Sequence, residues 1–380
     1  MKSIYLDNAA TTKVDKKVVK TMLPYFNENY GNASSPHEKG KDAKNAIETA
    51  RETISKKINA DKNEIYFTSG STESNNWAIK GLFYENFPRK NHIITSKIEH
   101  DAILNTLKYL KTKGAKVTYL DVDSEGKIKL EDLKNNITNK TFLVTVMHAN
   151  NEIGTIEPIQ EIGKICKEKN ILFHTDATQS FTKIPIDVKK MNLDLLSISS
   201  HKIHGPKGVG ALYIKNNTKI EPLLHGGGHE RNMRSGTENV PGIVGFAKAI
   251  EISNEKENKR IENLRNKIIE KLPKLISDIK INGSIKNRLP NNINVTIKEA
   301  EGEAIGNYLE TKRIYISTGS ACSTNTKANS HVLKAIGLNE KEQNSTIRIT
   351  LSKYTTQKEI NYFLKVLPEI INKLRKLKVK

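Results

Sequence analysis

The stretch Phe173-His174-Thr175-Asp176-Ala177-Thr178-Gln179 continues a short apolar run and places an acidic residue at its end. Farther along, residues 195–199 form a second apolar run, which is followed closely by His201 and Lys202. Neither run alternates cleanly between apolar and polar residues, as expected for strands that are covered on both faces. Because the carboxyl ends of strands gather ligands in open α/β sheets, an acid and a lysine at two such ends predict a binding site.

Strand-like and helix-like segments alternate on both sides of this stretch. The strand-like runs cover residues 65–68, 92–95, 117–120, 142–147, 171–173, 195–199 and 210–214. Between them, apolar residues recur at spacings of three and four, for example from residue 38 and over residues 73–82 and 103–110. This alternation predicts an α/β fold with a mainly parallel sheet.

The pattern changes after about residue 250. A charged helix is predicted over residues 255–272 and is expected to stop near Pro273. Strands follow at 292–297 and 347–351, and an amphipathic helix over 360–374 closes the chain. We therefore expect a large α/β domain over residues 15–250 and a smaller α+β domain formed by residues 1–14 and 251–380.

The composition limits the classes of function. The 62 Lys and Arg residues exceed the 42 Asp and Glu residues, which gives a formal net charge of +20. The lysines are spread along the chain, which favours a solvated surface, although an acidic partner or nucleic acid stays open. With only Cys166 and Cys322 there is no disulfide framework, so we expect a cytoplasmic protein. No apolar run is long enough to cross a bilayer, so we expect no membrane association.

A turn of small residues offers an anion site. Residues 68–73 read Thr-Ser-Gly-Ser-Thr-Glu between a predicted strand and a predicted helix. Free backbone N–H groups at such a helix start suit a phosphate, although Ser and Thr there are also ordinary helix caps. Together with Asp176 and Lys202, this turn meets the needs of pyridoxal phosphate: a lysine for its aldehyde, an anion beside its pyridine nitrogen and a cradle for its phosphate.

Ordered blocks over the whole chain resemble the cysteine desulfurases of the NifS/IscS family, in the class V group of pyridoxal-phosphate-dependent aminotransferases. The matching blocks are residues 5–12, 68–74, 96–100, 147–154, 176–179, 199–208, 225–237, 317–322 and 345–348. Several blocks in order are far more specific than one motif. The resemblance implies the fold type I of PLP-dependent transferases, with a seven-stranded, mainly parallel sheet in the large domain.

The resemblance also implies which residues bind pyridoxal 5'-phosphate. Lys202 is expected to hold the cofactor as a Schiff base and to move protons at the substrate α-carbon. Asp176 is expected to pair with the pyridine nitrogen, and His100 to stack on the ring as an acid or base. The full expected set is Ser71, Thr72, His100, Asn151, Asp176, Gln179, Ser199, His201, Lys202 and Thr237.

Other residues are expected to act on substrates and partners. Asn151 and Arg348 are implied in substrate binding, where Arg348 clamps the carboxylate of L-cysteine with its planar fork of donors. In the family, the residue matching Thr237 reaches the phosphate of the neighbouring subunit, so a homodimer is implied.

Cys322 lies in a small-residue stretch of the predicted small domain. The resemblance implies that its thiolate attacks the substrate sulfur, which leaves L-alanine and a persulfide on Cys322. The expected acceptors are an iron–sulfur scaffold protein or a tRNA-thiolation partner. We also expect Cys322 to act as a transient iron–sulfur ligand. The catalytic residues are therefore expected to be Cys322, Lys202 and His100.

Two other interpretations stay open. Within the enzymes, the alternative is a selenocysteine lyase or another class V aminotransferase, which would not need Cys322. Outside them, the alternative is a non-catalytic scaffold for sulfur transfer, which the presence of Lys202, Asp176 and Cys322 disfavours. Cys166 lies on the apolar face of a predicted helix and is interpreted as a core residue.

Overall fold

The computed structural model describes residues 3–318 and 330–378. Its central element is a seven-stranded sheet with the order β2-β8-β7-β6-β5-β3-β4. The five strands from β7 to β4 in this order are parallel, and β8 is antiparallel to both of its neighbours. The strands are β2 (Ile65–Thr68), β3 (His92–Ser96), β4 (Lys116–Leu120), β5 (Thr141–Thr145), β6 (Leu172–Asp176), β7 (Leu195–Ser199) and β8 (Gly210–Ile214). The predicted α/β class and mainly parallel sheet are confirmed.

Helices cover both faces of this sheet. They are α1 (Lys16–Met22), α2 (Pro24–Asn27), α3 (Glu38–Ile58), α4 (Ser71–Asn86), α5 (Asp101–Lys111), α6 (Leu130–Asn136), α7 (Ile159–Glu168) and α8 (Val240–Glu251). On α3 the apolar residues at spacings of three and four are buried, and the helix ends where Asn59 takes a left-handed conformation with φ 58°. Asn tolerates that conformation better than most residues, so it suits a helix end.

Alternate residues of the inner strands enter two different cores. Ile94, Val144 and Leu196 pack in the core on one face of the sheet. Their neighbours Ile93, Leu143 and Leu195 pack in the core on the other face. Successive side chains of a strand point to opposite faces, so a strand between two helix layers must be apolar throughout. This explains the continuous apolar runs in the sequence.

The remaining elements form a smaller layered unit. An antiparallel sheet has the order β12-β13-β10-β9, and β1 pairs in parallel with β11. Its strands are β1 (Ile4–Tyr5), β9 (Ile279–Ile281), β10 (Asn292–Ile297), β11 (Ile314–Tyr315), β12 (Ser317–Thr318) and β13 (Thr346–Thr350). Its helices are α9 (Glu255–Leu275), α10 (Gly302–Thr311), α11 (His331–Ala335), α12 (Glu340–Asn344) and α13 (Gln357–Lys378).

The first strand belongs spatially with the end of the chain. Ile4 and Leu6 pack in one core with buried apolar residues from the segment 261–371. This shared core supports our proposal that residues 1–14 and 251–380 form the small domain and residues 15–250 the large one.

The helix predicted over residues 255–272 ends three residues later than predicted. Helix α9 continues through Pro273 to Leu275. Proline removes one backbone N–H, but Leu272 and Ile276 on either side remain buried in the core. Packing of this apolar face therefore outweighs the local cost of proline. Among residues 3–318 and 330–378, every helix is too short or too polar to cross a bilayer.

Candidate active site

A cleft of about 310 Å³ opens where the carboxyl ends of the large sheet meet β13 of the smaller one. This volume falls in the range of small-molecule pockets, roughly 300–1,000 Å³. The lining residues are Ala9, Ala10, Ser71, Thr72, His100, Met147, Ala149, Asn151, Asp176, Thr178, Gln179, His201, Lys202 and Arg348. They come from distant parts of the chain, so only the folded protein assembles them.

One side of the cleft is the start of α4. Gly70 precedes the helix with φ 151°, and no side chain caps the helix start there. The N–H groups of the first helical turn have no intrahelical partner, and the helix dipole favours an anion beside them. A Cβ atom on the neighbouring Gly210 would lie 2.8 Å from the Gly70 Cα, so glycine permits this close approach of β8. The 16-residue helix therefore presents free donors next to Ser71 and Thr72.

An ion pair fixes this turn from the outside. Arg234 donates from Nε and Nη2 to the two carboxylate oxygens of Glu73, at 2.8 and 3.0 Å. The backbone N–H of Ser69 donates to the same carboxylate at 2.8 Å. Burial opposes ionisation of Glu73, but the hydrogen bonds from Arg234 and Ser69 outweigh it and lower the pKa of this carboxyl. Glu73 is therefore a charged, anchored residue of the turn.

The carboxylate at the end of β6 is held on both oxygens. Asn75 Nδ2 donates to Asp176 Oδ2 at 2.7 Å, and the backbone N–H of Thr178 donates to Oδ1 at 2.9 Å. The residue is 5% exposed. Both oxygens are thus held in place, and the geometry presents a buried carboxylate to a positively charged ligand atom.

Neutral imidazoles lie in the layer behind this carboxylate. His174 is hydrogen-bonded through Nδ1 to Thr145 Oγ1 at 2.8 Å and through Nε2 to Ser197 Oγ at 2.9 Å. Burial lowers the pKa of His174 to about 4, and it lowers the pKa of His148 similarly. The only formal charge that β6 brings to the cleft is therefore that of Asp176.

The lysine stands on a short turn directly after β7. Residues Ser200–Lys202 form a 3₁₀ turn, and Lys202 Nζ donates to the carbonyls of Ala9 and Ala10 at 2.5 and 2.8 Å. These acceptors belong to residues 7–12, which we call the N-terminal strap. The same strap binds His201, whose Nδ1 lies 3.1 Å from Thr11 Oγ1. Burial first, and then the nearby lysines, lower the pKa of His201 to about 4.

Two further polar side chains are oriented by local hydrogen bonds. Gln179 Nε2 donates to the carbonyl of Ala9 at 2.9 Å. His100 caps the start of α5, where its Nδ1 accepts from the N–H of Ala102 at 3.0 Å. Since Nδ1 is the acceptor, the proton of the neutral ring lies on Nε2.

A buried arginine closes the opposite side of the cleft. Arg348, on β13, donates from Nη1 to the carbonyl of Asn151 at 3.2 Å and from Nη2 to Asp7 Oδ1 at 3.0 Å. Its Nε is buried and has no hydrogen-bond partner among the described residues. Nη1 and Nη2 each keep a second N–H group, and two such donors in a cleft suit a planar, two-oxygen anion such as a carboxylate.

Comparison with known proteins identifies the family of this chain. Residues 4–363 match the sequence model of the family described as aminotransferase class-V. A protein named cysteine desulfurase IscS from Clostridium botulinum is 52% identical, with 99% of this chain and 96% of the relative covered. This chain belongs to the cysteine desulfurases of the class-V aminotransferase family.

Solved structures agree with this membership. A structure described as a NifS-like protein superimposes with a TM-score of 0.92 at 44% identity, over 98% of this chain and 100% of the other. A second, described as SspA in complex with cysteine, gives a TM-score of 0.84 at 42% identity, over 93% and 100% of the two chains. The resemblance, the fold type I expected from it and the desulfurase class are therefore confirmed.

The cofactor of this family is pyridoxal 5'-phosphate, and the cleft of this desulfurase fits it. The uncapped start of α4 suits the phosphate, the doubly hydrogen-bonded Asp176 suits a protonated pyridine nitrogen, and Lys202 supplies the amine. All three groups line the same cleft, so one molecule could contact them together.

The structure brings together nine of the residues proposed from the sequence: Ser71, Thr72, His100, Asn151, Asp176, Gln179, His201, Lys202 and Arg348. Ser199 is buried at the end of β7, and Thr237 is exposed, so neither lines the cleft of the single chain. Cys322 lies outside the described residues. The roles of all of these residues remain proposals.

The sequence did not point to several contacts of this site. Asn75 holds Asp176, Asp7 holds Arg348, and the carbonyls of Ala9 and Ala10 hold Lys202. Asn75 stands one helical turn after Ser71, so its helical spacing is a usable signal. The backbone carbonyls of the N-terminal strap carry no such signal, because every residue has one.

Proposed function

We propose that this cysteine desulfurase takes sulfur from L-cysteine, releases L-alanine and carries the sulfur as a persulfide on Cys322. The observation that carries the residue assignments is that Asp176, Lys202 and Arg348, from three separate segments, line one cleft. When bound there, pyridoxal 5'-phosphate supplies an aldehyde that reacts with amines and a ring that withdraws electrons from the substrate α-carbon.

Each residue has a defined task in this proposal. Arg348 binds the α-carboxylate of cysteine through its spare donors, which orients the substrate. Lys202 removes the proton from the α-carbon and returns one later. Asp176 keeps the ring nitrogen protonated. His100, whose Nε2 carries the proton in the neutral ring, moves a proton to or from the substrate.

Cys322 performs the sulfur transfer. Its thiolate attacks the substrate sulfur, so that a sulfur–sulfur bond forms and the bond between that sulfur and the substrate β-carbon breaks. The electron pair of the broken bond stays with the carbon, which takes up a proton to become the methyl group of alanine. Cysteine and thiol thus give alanine and persulfide, and no external oxidant is needed. This chemistry requires a reduced thiol, which supports a reducing compartment.

The partners are part of the proposal. The exposed Thr237 belongs to a segment anchored to α4 by the ion pair of Arg234 with Glu73, which supports a homodimer in which Thr237 reaches the neighbouring phosphate. An iron–sulfur scaffold protein or a tRNA-thiolation partner accepts the sulfur, and Cys322 serves as a transient iron–sulfur ligand. A Cys322-dependent cluster spectrum of the anaerobic complex tests the last point.

A single-turnover assay tests the central reaction. The purified holoenzyme receives L-cysteine without reductant, alanine is quantified, and added sulfur is located by mass spectrometry. Native protein should give stoichiometric alanine and one extra sulfur on the Cys322 peptide, whereas Cys322→Ala should give neither.

Cys166→Ala is the matched control. Cys166 is 1% exposed, and burial raises the pKa of its thiol to about 12, so this variant should keep both products. Alanine from the Cys322→Ala protein at the native rate would contradict the proposal and favour a lyase or transaminase.

A further inference from the structure

The N-terminal strap brings a carboxylate against the arginine of the cleft. Asp7 Oδ1 lies 3.0 Å from Arg348 Nη2, and the two side chains are 21% and 5% exposed. Asp7 does not line the cleft itself, so it approaches the guanidinium from the side. A ligand carboxylate in the cleft would therefore share Arg348 with Asp7.

The backbone fixes this pair in place. The N–H of Thr350 donates to the carbonyl of Leu6 at 2.6 Å. The N–H of Ala9 donates to Thr350 Oγ1 at 2.9 Å, and Asn8 Nδ2 donates to the Thr350 carbonyl at 2.7 Å. Thr350 and Arg348 are two apart on β13, so their side chains share one face of the strand. These bonds hold the backbone of Asp7 beside β13, and the Arg348 side chain then extends to the Asp7 carboxylate.

Asp7 leaves part of the fork available, namely the second N–H groups of Nη1 and Nη2. Each terminal nitrogen of a guanidinium carries two N–H groups, and Nε carries one. Asp7 takes one on Nη2 and the carbonyl of Asn151 takes one on Nη1, while Nε has no partner among the described residues. A buried guanidinium without any counter-ion would be costly, so Asp7 stabilises the charge without filling the binding position.

The shared guanidinium has an electrostatic consequence. A ligand carboxylate gains the attraction of Arg348 but also meets the repulsion of Asp7 across it. Substrate and product amino acids carry the same α-carboxylate, so a weakened attraction acts on both. Release of the product is therefore eased by the same charge that limits affinity for the substrate.

We propose that Asp7 is a positioning residue that holds the Arg348 fork in the cleft and sets its affinity for carboxylate ligands. The proposal rests on the function proposed above, in which Arg348 binds the substrate carboxylate. It separates two contributions of Asp7, namely its hydrogen bond, which orients the guanidinium, and its charge, which weakens ligand binding.

Binding of 3-mercaptopropionate to the holoenzyme tests both contributions. This probe has the carboxylate and thiol of cysteine but no amine, so it cannot form a Schiff base with the cofactor and is not converted to product. Calorimetry gives its dissociation constant for native protein and for Asp7→Asn, Asp7→Ala and Arg348→Ala. Circular dichroism and urea unfolding verify that each variant is folded.

The two Asp7 variants should differ in a defined way. Asp7→Asn keeps an acceptor oxygen and removes the charge, so the probe should bind about three- to tenfold more tightly, as expected for one charge in a partly hydrated site. The KM for L-cysteine should fall in parallel. Asp7→Ala also loses the orienting hydrogen bond, so it should bind the probe at least about threefold more weakly than Asp7→Asn.

Asp15→Asn is the matched control. Asp15 is a nearby acid that binds Lys353 and Tyr354 instead of the cleft arginine, so the affinity for the probe should not change. If Asp7→Asn binds the probe no more tightly than native protein while Arg348→Ala binds at least about tenfold more weakly, the role of Asp7 is wrong and the proposed function stands. If Arg348→Ala binds the probe as native protein does, the assignment of Arg348 itself fails.

Discussion

Two buried arginines of this protein differ in how completely they are paired. Arg51 donates to both oxygens of Glu230 at 2.7 and 2.8 Å, to the Ile65 carbonyl at 2.7 Å and to Glu48 at 3.0 Å. Every nitrogen of its guanidinium has a partner. Arg348 contacts one oxygen of Asp7 and one carbonyl, and its Nε has no partner among the described residues.

The difference separates a structural ion pair from a binding one. The side chains of Arg51 and Glu230 are each 3% exposed, and they join α3 to the segment that leads to Thr237. Four of the five N–H groups of this guanidinium are paired with described residues of the protein, against two of five in Arg348. An incompletely paired guanidinium in a cleft costs stability, and such a cost is expected at functional sites. Pairing therefore distinguishes the two arginines better than burial does.

The largest expected effect is on the fully paired arginine. Glu230→Ala leaves Arg51 buried without its main counter-ion, so the free energy of unfolding should fall by about 3–5 kcal/mol. Urea unfolding measures this. The double variant Arg51→Met, Glu230→Met should recover part of the loss, because it removes both charges. A loss below about 1 kcal/mol in the single variant would mean that the pair is not the buried anchor described here.

The second prediction concerns the open arginine. Arg348→Lys keeps the charge but loses the planar fork, so kcat/KM for L-cysteine should fall about 30- to 300-fold. The free energy of unfolding should change by less than about 1 kcal/mol, since lysine can still pair with the partly exposed carboxylate of Asp7. Steady-state kinetics and urea unfolding test the two parts. A stability loss as large as that of Glu230→Ala would remove the distinction between the two arginines.

Glu99 is a buried acid that has no arginine partner in the part of the chain that the structure describes, so it can be compared with Glu230. Glu99 is fully buried, and burial, together with the nearby Asp176, raises its pKa to about 8 despite hydrogen bonds from Ser96 and Met147. The folded protein keeps this proton while the unfolded chain loses it above pH 4.5, so the contribution of Glu99 to stability falls as the pH rises from about 4.5 to 8. Glu99 thus avoids a buried negative charge by keeping its proton, whereas Glu230 is paired with the positive charge of Arg51.

Glu99→Gln should flatten this part of the stability profile. Unfolding free energies measured from pH 5 to 8 should decline by about 1–3 kcal/mol less than in the native protein. Glu157, whose pKa burial also raises to about 8, should still lower the stability as the pH rises, whereas His148 and His174, whose pKa burial lowers to about 4, should raise it up to about pH 6.5 in both proteins. An unchanged profile would show that Glu99 is ionised in the folded protein.

The smallest effect is expected at the phosphate-binding turn. Arg234→Gln leaves the Glu73 carboxylate without its partner beside the proposed phosphate position, so pyridoxal 5'-phosphate should bind about three- to tenfold more weakly. Spectral titration of the cofactor-free protein measures this. The double variant with Glu73→Gln should recover the affinity. A double variant as weak as the single one would show that Arg234 acts by positioning its own segment and not through the charge of Glu73.

The sequence by itself determined the class of fold and the family. Apolar runs at strand length, separated by segments of helical period, specify a mainly parallel sheet covered on both faces, because each face must be buried. Asp176 and Lys202 stand directly after such runs, so their place at the sheet edge follows from topology alone. Side chains whose position is set by their own strand or helix were therefore predictable.

Only the tertiary structure decided which groups hold these side chains. Asp7 and Arg348 are 341 positions apart, and they meet because β1 pairs with β11 and the residues that follow β1 are hydrogen-bonded to Thr350 on β13. The carbonyls that bind Lys202 are backbone atoms, and the type of residue does not predict which carbonyl will bind. The continuation of α9 past Pro273 likewise depends on packing partners outside the helix. Local patterns encode what a segment buries, whereas partners far apart in the chain are set by the way its layers pack together.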